Sequence, residues 1–237
     1  MENRTFVIGD IHGGLKALQQ VLDKVNLLKS DTFIFLGDLV DGWSESAQTI
    51  QYLIEFSEKY KCIFIKGNHD AWCEDWLMKG RSNPTWLLHG GASTVVSYKG
   101  LEDDKKLEHL SFFNEMKDYY IDSENRLFIH AGFSSMHGPE KEVYRSNYSW
   151  DRTLWEMVVA LDEKLSVDSV LYPKRLKLFK EIYIGHTPTT DFGSIKPINK
   201  ANVWNLDTGA AFKGSLSIME INNKKTTQSS FVYELYP

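Results

Sequence analysis

The stretch Thr5-Phe6-Val7-Ile8-Gly9-Asp10-Ile11-His12-Gly13 decides the fold. A short apolar run that stops at a glycine reads as a buried strand, and Asp10 and His12 stand directly past its end. Leu15 to Val25 then carries Leu15, Leu18, Val21, Leu22 and Val25 at the spacing of one helical face. The pattern repeats: Thr32 to Leu36 reads as a strand, Ala47 to Phe56 as a helix with Ile50, Leu53 and Ile54 inward, and Cys62 to Ile65 as a third strand. This β-α-β-α-β alternation predicts a mainly parallel sheet in an α/β fold. Ligands of such sheets lie beyond the carboxyl ends of the strands. Gly37-Asp38-Leu39-Val40-Asp41 and Gly67-Asn68-His69-Asp70 fall at those ends.

Further along, His130-Ala131-Gly132 follows the apolar run Leu127-Phe128-Ile129, and Gly185-His186-Thr187 follows a strand over Glu181 to Ile184. Any one of these pieces alone reads as a helix cap, a turn or a satisfied core histidine. Together, carboxylates, imidazoles and an amide at successive strand ends point to a metal centre. A two-metal hydrolase needs cations about 3.5–4 Å apart, a shared carboxylate and a water acidic enough to attack at neutral pH. Asp10 and His12 reach one metal, Asp38 is the natural bridge, Asn68 adds a neutral oxygen, and His130 and His186 add imidazoles to the second. Oxygen and nitrogen donors without thiolate suit two divalent ions, manganese first, with iron and zinc compatible.

At 237 residues, 42% hydrophobic and 25% charged, the chain can bury a substantial core. Its formal charge of -5 argues against general nucleic-acid affinity, which demands a basic surface. Cys62 and Cys73 form no Cys-x-x-Cys pair and no disulfide framework. Met1-Glu2-Asn3-Arg4 leads into a strand with no signal-peptide pattern, and no apolar stretch is long enough to span a bilayer. A cytoplasmic protein without a membrane partner is expected.

Leu77 to Tyr98 and Lys105 to Lys117 read as aromatic-rich helices, a helical cap region at about 77–118. Trp43, Trp72, Trp76 and Trp86 read as packing residues of core or cap. Tyr119 to Ile121 and Leu127 to Ile129 form a hairpin around the turn at Asp122 to Asn125. Arg152 to Leu161 and Pro173 to Phe179 read as helices. Val203 to Leu206, Ser215 to Ile221 and Ser230 to Leu235 read as strands, with a turn at Asn222 to Lys225. Met136 to Tyr148 is the expected mobile loop. No repeat or linker divides the chain, so one domain over residues 1–237 is expected.

These blocks resemble the calcineurin-like metallophosphoesterases, and within them the PPP branch of serine/threonine phosphoprotein phosphatases in its small bacterial and phage form. The pattern there is GDxHG, GDxVDRG, GNHE, HAG or HGG, and a late GH. Trp86-Leu87-Leu88 with Gly90-Gly91, Ser149-Trp150-Asp151-Arg152, Gly185-His186-Thr187-Pro188 and Asp207-Thr208-Gly209-Ala210 extend the match. Other branches carry a second histidine where Pro188 stands. The resemblance implies a β-sandwich flanked by helices, and a phosphomonoesterase that uses a metal-bridging hydroxide. It implies that His69 is the catalytic acid with Asp41 bonded to its ring, and that Arg152 grips the substrate phosphate beside Asn68. The implied substrate is a phosphorylated protein or a small phosphoester. A symmetrical diadenosine tetraphosphate hydrolase shares the same blocks and is the alternative, and a catalytically silent regulatory module is a third reading. Two departures stand out: the arginine of the DRG block is replaced by Gly42 and Trp43, and Asp70 replaces the usual glutamate. Lys66, Arg81 and Arg145 are the cations that could stand in for that arginine.

Overall fold

The computed structural model describes residues 4–237. Strand β1 (Thr5–Ile8), helix α1 (Leu15–Asp23), β2 (Thr32–Phe35), α2 (Ser46–Ser57) and β3 (Lys61–Phe64) follow the alternation that the sequence dictates. Helices α3 (Asn68–Lys79), α4 (Pro84–Trp86), α5 (Ala92–Ser97) and α6 (Asp103–Glu115) come next, with a kinked turn at Leu87–Gly91 between α4 and α5. Strands β4 (Tyr119–Ile121) and β5 (Arg126–Ile129) form the expected hairpin, and helices α7 (Asn147–Trp150) and α8 (Thr153–Val159) precede β6 (Glu181–Ile184). Strands β7 (Ile198–Lys200), β8 (Val203–Asn205), β9 (Ser215–Glu220) and β10 (Lys225–Phe231) lead to a last turn of helix, α9 (Val232–Leu235).

The strands form two mixed five-stranded sheets, ordered β10-β9-β1-β2-β3 and β4-β5-β6-β8-β7. β1, β2 and β3 run parallel with Thr5 opposite Thr32 and Thr32 opposite Lys61. Side chains alternate across each strand, and the alternation assigns the layers. Val7, Ile34, Phe128 and Tyr183 point between the sheets and pack with Leu206 and Met219. Phe6, Ile8, Phe33 and Phe35 point outward against Leu18, Val21, Ile50 and Leu53 of α1 and α2. On the other side Leu127, Ile129, Ile182 and Ile184 meet Leu154, Trp155 and Val158 of α8. The result is a sandwich with helices on both outer faces. No helix among the described residues is long and apolar enough to cross a membrane.

Several expected boundaries shift. α3 starts at Asn68, ends at Gly80 in the left-handed conformation, and the chain restarts at Pro84 with Asn83 as cap, so Leu77 to Tyr98 is not one helix. α4, α5 and α6 lie against α2 and α3 on the outer face of the first sheet. Lys174–Leu178 is a 3-10 turn rather than an α-helix. The last strand lies earlier than expected, over Lys225–Phe231, because its Thr- and Ser-rich sequence hides an edge strand that pairs only with β9. The Met136 to Tyr148 segment is tied down: Glu142 accepts from the backbone N–H of Ser134 and Ser135, and the Tyr148 hydroxyl donates to the Pro139 carbonyl at 2.6 Å.

Candidate active site

The side chains singled out in sequence converge at one rim of the sandwich. Asp10 and His12 follow β1, Asp38 and Asp41 follow β2, Asn68 and His69 open α3 after β3, His130 follows β5, and His186 follows β6. The local backbone bends sharply: His12, Asp38, Asp41 and His186 have φ of 52°, 51°, 74° and 66°. The left-handed region is sparsely populated by non-glycine residues, and such conformations cluster where a structure holds functional groups in place.

Asp38 stands at the centre, 2% exposed. Its Oδ2 lies 3.3 Å from His130 Nε2 and 3.7 Å from His12 Nε2, which is itself 3.9 Å from Asp10 Oδ2. Two overlapping donor clusters share it, one with His12 and His69 and one with His130 and His186. The Nδ1–H of His130 donates to the Leu36 carbonyl at 2.8 Å, which turns Nε2 towards Asp38 and towards Asn68 Oδ1 at 3.2 Å. His186 Nε2 is buried without any hydrogen-bond partner.

Two glycines permit this crowding. A Cβ on Gly67 would stand 2.1 Å from Asp38 Oδ1, and one on Gly185 would stand 2.1 Å from Asp10 Oδ1. Burial pushes the Asp10 carboxyl well up, and the neighbouring Asp207 and Asp38 add to it. Burial and the His69 charge lower His12 to about 3, so its imidazole is neutral, the form that binds metal. A buried orphan nitrogen, closely set carboxylates and neutral imidazoles fit two divalent cations sharing Asp38. The residues that would hold them are Asp10, His12, Asp38, Asn68, His130 and His186.

His69 sits at the side of this cluster. Its Nδ1 lies 2.7 Å from Asp41 Oδ2. Burial opposes charge on the ring, but Asp38 and Asp41 outweigh it and lift the pKa to about 9. Asp41 is fully buried and also accepts from Trp86 Nε1 at 2.6 Å and from Thr94 Oγ1 at 2.5 Å. Asp70, the departure from glutamate, braces the loop beneath: its carboxylate accepts from the N–H of Asp38, Leu39 and Gly67 at 2.8, 2.9 and 2.9 Å.

A cavity of about 390 Å³ opens onto these groups, lined also by Trp72, His89, Trp150, Arg152, Asp207 and Phe212. Arg152 faces it with NH1 donating to Thr187 Oγ1 at 2.7 Å. Lys66 and Arg145 line a neighbouring groove and are paired with Glu74 and Asp118, and Arg81 lines neither. Trp43, after Gly42, donates to the Ala210 carbonyl and stacks on Tyr236. No sequence pattern points to a chemical role for Asp207, Trp86, Thr94, Trp150 or His89. Only the Trp86, Trp150 and Asp207 blocks had marked their neighbourhoods.

Comparison with known proteins fits this geometry. The profile of the calcineurin-like phosphoesterase family matches residues 4–208. An asymmetrical bis(5'-nucleosyl)-tetraphosphatase PrpE of Oceanobacillus iheyensis is 24% identical, covering 92% of this chain and 89% of that protein. Its namesake in Bacillus thuringiensis is 26% identical, covering 93% and 91%. A protein serine/threonine phosphatase from Saccharomyces cerevisiae superposes with a TM-score of 0.63 at 11% identity, over 97% of this chain and 79% of that one, which is a likeness of fold. Since the profile spans most of the chain and every strand that carries a candidate ligand, the chain belongs to the calcineurin-like phosphoesterases, a family of enzymes that work with two metal ions.

Proposed function

We propose that this chain hydrolyses dinucleoside polyphosphates and cuts them asymmetrically. The observation that carries this reading is the aromatic rim of the cavity. Trp72 stacks on His89 with ring centres 6.2 Å apart, meets Trp150 edge-on at 4.9 Å, and reaches His69 at 5.3 Å. Trp150 in turn meets His186 at 6.0 Å. Flat aromatic faces stack on any nucleobase. A base on this rim would lie about a ribose and a phosphate from the reacting centre, which favours attack near one end of a polyphosphate over attack at its middle. The names of the bacterial relatives support the same substrate class. The phosphoprotein expectation rests on shared motif blocks alone.

Bound cations would supply positive charge to the phosphoryl oxygens and an acidified water as nucleophile. Arg152 presents a guanidinium with donors to spare beside them, suited to a phosphoryl oxygen, and the Asn68 amide lies on the other side of the cluster. With Nδ1 held by Asp41, His69 offers its Nε2 proton to the leaving oxygen as the P–O bond breaks. Trp72 and Trp150 line the cavity beside that proton.

The test is product analysis of manganese-reloaded protein given diadenosine tetraphosphate, a phosphoserine peptide and para-nitrophenyl phosphate in parallel. AMP and ATP are the expected products. Two ADP would overturn asymmetric cleavage, and an untouched dinucleotide beside a dephosphorylated peptide would replace the reading with the phosphoprotein one.

A further inference from the structure

We propose that Trp86 and Thr94 are positioning residues of this site: their hydrogen bonds to Asp41 fix the carboxylate that aims the His69 ring at the leaving group. The proposal rests on the reading of His69 as proton donor and extends it one layer outward.

Asp41 has no solvent contact, and among the described residues no lysine or arginine is bonded to it. A buried carboxylate must be satisfied by hydrogen bonds, and here every donor comes from a defined side chain. Oδ2 receives Trp86 Nε1 and His69 Nδ1, while Oδ1 receives Thr94 Oγ1. The Asp41 N–H is held in turn by Thr94 Oγ1 at 3.1 Å and Ser46 Oγ at 3.0 Å, and those two hydroxyls stand 2.8 Å apart. Carboxylate and backbone are thus pinned from the same side, although Asp41 occupies a left-handed conformation that its loop alone would not hold.

The segment after Trp86 is shaped for this contact. Leu87–Gly91 is a kink between α4 and α5, at which His89 and Gly90 leave helical geometry. Within it Gly90 adopts φ 103° and its carbonyl accepts from Gly42 N at 3.2 Å. A Cβ on Gly90 would press 2.7 Å from Gly42 N, and one on Gly91 would fall 2.3 Å from the Trp86 indole. The turn therefore lays the indole flat against its own backbone and clamps the Asp41-Gly42 loop with it. Packing alone would accept phenylalanine here. Tryptophan adds a single donor and no acceptor, and that donor is spent on Asp41.

Because a phenolate needs a proton to leave and a nitrophenolate hardly does, leaving-group dependence isolates the acid. His69→Asn is expected to lower kcat about 100-fold or more on phenyl phosphate and less than about tenfold on para-nitrophenyl phosphate. Trp86→Phe and Thr94→Val are expected to follow the same pattern at about tenfold and within about twofold, with KM unchanged and Thr94→Ser restoring the loss. Equal losses on both substrates, with His69→Asn keeping its contrast, would overturn this proposal alone. A His69→Asn variant indifferent to the leaving group would overturn the acid reading and the proposal with it. Proton NMR gives a readout independent of turnover: the His69 Nδ1–H signal, slow to exchange in the parent, is expected to exchange faster in both variants. An unchanged signal in both would also overturn the proposal, and Thr94→Val keeps the test open should Trp86→Phe fail to fold.

Discussion

His69 shows how a single group is set by opposing terms. Burial alone would discharge its ring, yet the carboxylates of Asp38 and Asp41 reverse the sign and raise its pKa to about 9. A folded pKa above the ordinary 6.5 means that the charged ring stabilises the fold fully below pH about 6.5, and that this contribution is lost as pH rises through about 9. In the metal-free protein, His69→Asn is therefore expected to cost up to about 3 kcal/mol at pH 6 and much less at pH 10. Urea unfolding of parent and variant at both pH values measures it, and a gap that does not change with pH rejects the account. Cations bound at Asp38 would weaken its attraction for the ring, so the histidine titration followed by NMR is expected to move to lower pH on loading.

At the scale of elements, each strand delivers its ligand only because the turn after it bends tightly, and small residues make room. Gly185 is the sharpest case, since any Cβ there collides with Asp10 Oδ1. Gly185→Ala is expected to leave the secondary structure intact while weakening metal affinity about 10- to 100-fold, the usual cost of disturbing a ligand's support. Titration calorimetry with manganese, beside circular dichroism, decides it, and parent-like affinity would mean that Asp10 is no ligand. Such turns were legible in sequence because apolar runs ending in Gly-Asp or Gly-Asn carry both the strand and the ligand in adjacent residues. β1, β2 and β3 were visible for the same reason, each being an apolar run separated by a periodic helix. β7 and β10 were not, because edge strands such as Ile198–Lys200 and Lys225–Phe231 bury little and so carry polar sequences without alternation. Trp86 and Thr94 stayed silent for another reason. An indole donor meeting a carboxylate 45 residues away has no local pattern, and an aromatic residue in a helical stretch reads as core.

For the molecule as a whole, the two sheets divide the site between them. Asp10, His12, Asp38 and Asn68 come from the first, and His130 and His186 from the second. The geometry of the centre is thus a property of how the sheets pack. A bound ion joining Asp38 to His130 would bridge the sandwich, and anything that binds only the folded state stabilises it by mass action, by about 2.7 kcal/mol at a hundredfold excess over Kd. The coupling must run both ways: loosening the sheet interface must weaken the metal site even where no ligand is touched. Phe128 allows the test, since it is fully buried between the sheets and stacks on Tyr183 with ring centres 5.0 Å apart, on the strand that leads to His130. Phe128→Ala is expected to cost about 3–5 kcal/mol of stability, to lower manganese affinity, and to regain part of its thermal stability at saturating manganese. A variant that is destabilised but binds manganese as tightly as the parent would show that the ligand loops hold their geometry independently of the sheets.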